Sequence, residues 1–167
     1  MKRIFFVLLL LLGAWSVHAQ TLGVMVCDDD PYTNIRNGVR GKIIGKIGKG
    51  NSVIMEVGEV RDGWWKIVGG PMIAEDSRII RFKPSKTGYW IHYSVLCVDT
   101  RNYGGESIHL RELPSNDAAS LYSTNEEISL RPLEVKDGWV KVTTFDGKHI
   151  GWIEENMLCS NPLTNCC

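Results

Sequence analysis

Apart from one run near its start, this 167-residue chain has no stretch approaching the roughly 18 consecutive apolar residues of a membrane-spanning helix. An excess of charge of either sign is missing too, since 19 Lys and Arg meet 19 Asp and Glu. Without a basic excess there is no electrostatic footprint for nucleic acid or an anionic membrane, and neither is expected as a partner. Sustained helical periodicity is missing beyond about two turns outside the first twenty residues, which excludes a helical bundle. The signatures of catalysis are missing as well. No paired-carboxylate, serine-nucleophile, phosphate-loop or metal-ligand motif stands out, and no Cys-x-x-Cys pair occurs. No cofactor is expected, and the chain reads as a protein that is not an enzyme.

The first twenty residues hold the one apolar run. Lys2 and Arg3 form a short basic head, residues 4–12 are unbroken apolar sequence, and Val17 and Ala19 put small side chains at the −3 and −1 positions of a cleavage site before Gln20. That layout is a secretory signal peptide over residues 1–19, too short in its apolar part to span a bilayer. No cysteine sits just after the run, which argues against a lipoprotein anchor. The mature chain is expected to be soluble, periplasmic or secreted, with no membrane insertion after cleavage. Loss of Lys2 and Arg3 leaves it with two more acidic than basic residues.

Self-similarity sets the architecture of the remainder. Residues 34–68 align without a gap on residues 109–143 at an offset of 75. Glu59-Val60-Arg61-Asp62-Gly63-Trp64 matches Glu134-Val135-Lys136-Asp137-Gly138-Trp139, Lys66-Ile67 matches Lys141-Val142, and Arg36 matches Arg111. Further on, Trp90-Ile91 matches Trp152-Ile153 and Val95-Leu96-Cys97 matches Met157-Leu158-Cys159, at an offset of 62. Two blocks in the same order mean duplication. The fall in offset puts about thirteen extra residues of repeat one between Val68 and Gly88.

Each repeat reads as strands. Short runs rich in β-branched and aromatic residues, such as Trp64-Trp65-Lys66-Ile67 and Trp139-Val140-Lys141-Val142, are punctuated by Asp62-Gly63, Asp137-Gly138 and Asp146-Gly147. Asp-Gly between such runs is a strong hairpin signal, because the pair accepts positive φ at little cost. The fold class is therefore all-β, a small barrel or sandwich per repeat. Units of about seventy residues are marginal for a core, so disulfides or packing of the units together are expected to help.

All five cysteines, Cys27, Cys97, Cys159, Cys166 and Cys167, follow the leader, in a chain that meets an oxidising environment. Cys27 and Cys97 flank the first and last strands of repeat one, which lie together in a small barrel, so they are expected to pair. Cys159 is left to pair within the Cys166-Cys167 tail, and the odd count leaves one thiol free or open to another chain. A zinc site made from the tail finds no nearby histidine to complete it.

Taken together, Asn34-Ile35-Arg36, Gly45-Lys46-Ile47-Gly48-Lys49-Gly50-Asn51, Asp62-Gly63-Trp64-Trp65-Lys66-Ile67-Val68 and Gly88-Tyr89-Trp90-Ile91 resemble the bacterial SH3 domain pattern. Repeat two keeps Leu110-Arg111, Gly138-Trp139-Val140-Lys141-Val142 and Gly151-Trp152-Ile153. It departs by His109 in place of Asn, and by Asn125-Glu126-Glu127 where repeat one has Gly50-Asn51-Ser52. The resemblance covers the chain from about Val24 to Cys159. It implies two tandem SH3-like small β-barrels, the first over residues 22–97 with an insertion at about 69–87 and the second over 98–159, with a Cys-containing tail at 160–167. It also implies binding of peptides or cell-wall material. Such domains usually accompany a wall amidase or peptidase, and none is expected here, since eight residues follow Cys159.

Adjacent strand residues face opposite sides, so one indole of Trp64-Trp65 points to the core and the other outward. The resemblance puts the first aromatic of such a pair in the peptide groove, which makes Trp64 and Trp139 ligand-binding candidates. The alternative is that both close the barrel mouth as core residues. Tyr32, Tyr89 and Tyr93 extend that groove or are ordinary half-buried barrel aromatics. Trp90 and Trp152 are expected in the core. Arg36 and Arg111, at one repeat position, are expected to make a shared structural ion pair. The insertion, with Arg78, Arg81, Lys83 and Lys86, is expected as an irregular basic loop, either solvated or in contact with a partner. His92, His109 and His149 could serve a Cys/His hydrolase, but Cys97 is better read as half of a disulfide. The leading function is non-catalytic binding of peptidoglycan peptide, or of an extended segment of an envelope protein, in aromatic-lined grooves. The alternatives are a structural or assembly partner in an envelope complex, and a small secreted wall hydrolase or inhibitor.

Overall fold

The computed structural model describes residues 20–50, 52–102 and 104–159, so the expected leader and the tail from residue 160 lie outside the described residues. Over these the protein is all-β. Strands β1 (Leu22–Val26), β2 (Tyr32–Arg36) and β3 (Ile43–Gly48) open the first half, and β4 (Val53–Arg61) and β5 (Trp64–Ile67) form its central hairpin. The insertion carries β6 (Met72–Ile73) and β7 (Arg78–Ile79), β8 (Tyr89–His92) follows, and a 3-10 turn at Tyr93–Val95 leads into β9 (Leu96–Thr100). The second half repeats the series with β10 (Ile108–Arg111), β11 (Ser120–Thr124), β12 (Ser129–Lys136), β13 (Trp139–Thr144) and β14 (Ile150–Glu154). A second 3-10 turn at Glu155–Met157 then leads into β15 (Leu158–Cys159).

Hydrogen-bonded neighbours run β11-β10-β14-β13-β12-β9-β1-β4-β5-β8-β2-β3. From the middle outward, β1-β4-β5-β8-β2-β3 on one side mirrors β9-β12-β13-β14-β10-β11 on the other, so the duplicated sequence is a duplicated strand order. Two separately closed barrels are not what these ladders form. Leu96 and Cys97 of β9 pair with Val26 and Met25 of β1, while Val98 and Asp99 pair with Leu130 and Ser129 of β12. The boundary expected between residues 97 and 98 thus falls inside a strand common to both halves. One sheet runs through the described residues, open at β3 and β11. The physical reason is that β9 satisfies its main-chain groups against both halves, where a linker would have left them to water.

The Asp-Gly turns are formed as their residue types require. Asp62 and Gly63 have φ of 49° and 77°, and Asp137 and Gly138 have 50° and 80°, the double positive φ of a type I′ hairpin. At Asp146-Gly147 only Gly147 is positive, at 71°. That turn is held instead by the Asp146 carboxylate, which accepts from Thr144 Oγ1 at 2.6 Å and Lys148 N–H at 3.1 Å. Those hydrogen bonds hold its pKa far below the usual carboxylate range.

Register corrects the gapless alignment of the repeats. Ile35 faces Gly45 in the first half, whereas Leu110 faces Tyr122 in the second. The β3–β11 match therefore runs at an offset of 77, because the β10–β11 loop is two residues longer. A Cβ on Gly45 would lie 2.2 Å from Phe82 Cδ1. The ring that Tyr122 carries itself in the second half is supplied from the insertion in the first, and both rings pack on the core.

Inward residues of both halves form one hydrophobic cluster, including Val24, Ile35, Val57, Trp65, Ile91, Leu110, Leu130, Val140 and Ile153. Trp65 is 0% exposed and its Nε1 donates to the Pro132 carbonyl on β12 at 3.1 Å, a bond from one half to the other. The expected Cys27–Cys97 disulfide is present, with Cα atoms 5.7 Å apart, and Cys159 is disulfide-bonded as well. Such bonds fit an oxidising compartment.

Gly151 shows how closely β14 sits on β10. A Cβ there would lie 2.8 Å from Leu110 Cβ and 2.9 Å from the Arg111 carbonyl oxygen. Backbone and Cβ atoms cannot swing aside, so Gly151→Ala is expected to lower stability in denaturant melts by about 2 kcal/mol. A change under roughly 0.5 kcal/mol would contradict that closeness.

Candidate functional site

Trp64 and Trp65 divide as the pleat requires. Trp65 lies opposite Ile91 in the β5–β8 ladder and is buried in the core, while Trp64 lies opposite His92, half-buried on the outer face. Around Trp64 the His92 ring is 5.0 Å away between centroids, and the Arg36 guanidinium carbon is 5.5 Å from the indole centroid. Tyr93 joins through His92, with ring centroids 4.6 Å apart. His92 Nδ1 accepts from the Ser94 N–H at 3.4 Å and lies 2.8 Å from Ser94 Oγ, which orients the imidazole against the indole.

Burial pushes the His92 pKa below its ordinary 6.5, so the ring is neutral at neutral pH. Protonation would place a cation against Trp64 and quench its fluorescence. A pH titration of that fluorescence is expected to show a step centred below 6.5 that His92→Gln removes. A midpoint at or above the ordinary value would contradict the burial. Because the native state releases this proton more readily than the unfolded chain, the effect on stability has a definite sign. Stability is complete above the ordinary value and falls as pH drops toward the lowered native one.

Tyr32 shares the outer face of β2 with Asn34 and Arg36, since Thr33 and Ile35 point inward and are buried. It is 44% exposed, with the Lys46 ammonium 3.5 Å from its ring centroid. Asn34 Oδ1 is buried on this strand and meets no donor among the described residues. Tyr89 belongs elsewhere. It lies opposite Ile67, three ladder positions from the Trp64–His92 pair and on the other face, where it packs on Phe82 at 5.7 Å and donates Oη to the Lys83 carbonyl. Residues 89 and 92 of one strand cannot share a face, so no groove is lined jointly by Trp64 and Tyr89.

Arg36 and Arg111 do recur in one role, but it is not an ion pair. Arg36 Nη1 donates to the Gly41 carbonyl at 2.8 Å and Arg111 Nη1 to the Ala118 carbonyl at 2.9 Å. Each brace fixes the loop of its own hairpin. Trp90 and Trp152 are buried as expected, yet outside the shared core. Trp90 lies opposite Arg36 and Lys66, and Trp152 opposite Arg111 and Lys141. Arg61 sits 5.8 Å over Trp90 and Lys141 5.8 Å over Trp152, so the stems of basic side chains cover both indoles on the outer face.

In the second half Trp139 is again half-buried, but it faces Glu154 across the ladder where Trp64 faces His92. A cleft of 170 Å³ is bounded there by Trp139, Glu154, His109, Arg111, Asn116 and Met157. The Asn116 amide donates to Glu154 Oε1. The two sites share their tryptophan and arginine and differ in the group beside them, a neutral imidazole in one and a carboxylate in the other. His92, Asn34 and Glu154 were not among the expected ligand contacts. The offset of 62 that aligns Trp90 with Trp152 also aligns His92 with Glu154, and that was the available signal.

Cys97 is fully buried and disulfide-bonded, so it holds no thiolate for His92 to activate. His109 Nδ1 lies 3.1 Å from Ser120 Oγ, and His149 stacks on Tyr122 at 4.4 Å. Among the described residues no cluster of three or more His, Cys, Asp or Glu is placed to hold a metal, and no helix is long and apolar enough to cross a membrane. No family model and no curated protein matches the chain. A solved structure, that of NlpC1 from Trichomonas vaginalis, is similar at 13% identity and a TM-score of 0.31 over 91% of this chain. The chain spans 50% of the length of that one, and a likeness this loose says nothing about role.

Proposed function

We propose that this chain is an exported, non-catalytic binding protein that holds an extended peptide against the outer faces of two SH3-like units. The ligand class is cell-wall peptide or an extended segment of an envelope protein. One observation carries the reading: a half-buried tryptophan beside a braced arginine recurs at matched positions, Trp64 with Arg36 and Trp139 with Arg111. An indole anchored on one side and open on the other is a surface for stacking, and tryptophan and arginine are the side chains most enriched where binding energy concentrates. Tyr93 reaches Trp64 through His92, and Tyr32 lies on the outer face of the strand that carries Arg36. Two such grooves on one sheet would raise the affinity for a repetitive ligand through effective concentration.

The test is a tryptophan fluorescence titration with soluble muropeptides, together with a pull-down on purified peptidoglycan. Saturable binding is expected, weakened by about 2 kcal/mol, or roughly thirtyfold, in Trp64→Ala. No saturation with either wall fragments or envelope extracts would overturn the reading.

A further inference from the structure

The insertion builds a feature that the second half lacks. β13 and β14 are joined by the short turn around Asp146-Gly147, whereas β5 and β8 are joined by residues 68–88 with the β6–β7 hairpin among them. This segment is fastened along its length. Ile73 pairs with Val53 of β4, the Ile80 N–H donates to the Pro71 carbonyl at 2.7 Å, and the Phe82 ring fills the space at Gly45. Near its end Tyr89 Oη donates to the Lys83 carbonyl, and Thr87 Oγ1 donates to the Asn37 carbonyl. The irregular loop expected from the sequence is thus a pinned strap.

Between the strap and the end of β5 lies a pocket of 320 Å³, walled by Ile67, Ile80, Phe82 and Tyr89, with Gly69 and Gly70 also lining it. Nearby, Val68 is 51% and Ile79 57% exposed. Residues 77–87 contain four cations and no carboxylate. Arg78 is paired with Asp76 at 3.5 Å, while Arg81, Lys83 and Lys86 meet no carboxylate among the described residues. An apolar hollow with an unneutralised basic rim is complementary to one kind of chemistry.

We propose that this pocket docks an acidic protein segment carrying one large apolar side chain. That side chain enters beside Ile80 and Tyr89, and its acidic neighbours meet Arg81, Lys83 and Lys86. A concave site framed by a pinned hairpin receives a single side chain, whereas a bilayer surface is bound by an apolar face that protrudes. Tyr89 lines this pocket from the face opposite Trp64, so the site stands independently of the tryptophan grooves.

The exported chain is titrated with a fluorescein-labelled acetyl-Asp-Glu-Phe-Glu-Asp peptide, with the same peptide bearing Lys at the four acidic positions, and with vesicles of phosphatidylcholine and phosphatidylglycerol at roughly 7:3. The acidic peptide is expected to saturate and the Lys peptide not to bind. Affinity for the acidic peptide should fall at least about tenfold in Arg81→Glu/Lys83→Glu and should weaken as salt rises. Trp64→Ala should leave it unchanged. Both swapped side chains are exposed, so the melting temperature serves as the folding control. Absence of saturation, equal binding of the Lys peptide, indifference to the charge swap, or binding to vesicles in preference to the peptide would each overturn the assignment.

Discussion

Trp65→Ala is expected to lower the free energy of unfolding by roughly 3–5 kcal/mol, the cost of emptying a large buried site that cannot fully collapse. Three features add at this residue. Its side chain is fully buried in the cluster shared by both halves, so the cavity would be lined by residues of each. Its indole N–H is committed to the Pro132 carbonyl, which would lose its donor in a dry setting. Its ladder partners Val60 and Ile91 come from the strands on either side of β5, so the void would open in the middle of a sheet. Trp65→Phe separates the contributions. It keeps most of the buried area and drops the hydrogen bond, and should cost about 1–2 kcal/mol. Urea unfolding followed by tryptophan fluorescence and far-UV circular dichroism is expected to show one transition for wild type and both variants. Independent halves would instead give two transitions, only one of them displaced, and that result would contradict the common core.

Local chemistry made part of this molecule legible in its sequence. Asp62-Gly63 and Asp137-Gly138 select a turn by the φ they tolerate, and that preference needs no knowledge of the rest of the chain. The opposite facing of Trp64 and Trp65 follows from the two-residue period of any strand. The Cys27–Cys97 bond followed once those residues were placed on neighbouring strands. What could not be read is what depends on pairing between distant segments. β9 looks like a boundary in sequence because a repeat ends there, and only its ladders with β1 and β12 show that it belongs to both halves. Gly45 appears in sequence only as one residue of the run Gly45 to Asn51, and its reason is the Phe82 ring that arrives from the insertion. Arg36 and Arg111 looked like one half of an ion pair. Their acceptors are main-chain carbonyls, which every residue carries and no residue type marks. The candidate site was legible to the same depth: strand parity turned one of Trp64 and Trp65 outward and only the family resemblance chose Trp64, while His92 reaches it through the β5–β8 register alone.

The other large effect is expected from Cys27→Ser/Cys97→Ser, at about 4 kcal/mol, the loop-closure entropy of a cross-link between residues 70 apart. At that size the thermal midpoint should fall by roughly 10–15 °C. In the folded protein the bond is one of several ties at this place. β1 and β9 are paired through Met25–Cys97 and Val26–Leu96, and the Cys27 N–H donates to the Val95 carbonyl at 2.9 Å. The disulfide therefore does little to create the native arrangement and acts chiefly on the unfolded chain, whose expansion it limits. That account makes a second quantity move. The urea m-value should rise in the double variant, because a chain without the cross-link exposes more surface on unfolding. Wild type in strong reductant should match the double variant in oxidant if this is the bond that matters, and any further loss belongs to the disulfide of Cys159. A stability loss below roughly 1 kcal/mol with an unchanged m-value would mean that the pairing of β1 with β9 persists after unfolding. The strand shared by the two halves would then be held by its main-chain ladder alone.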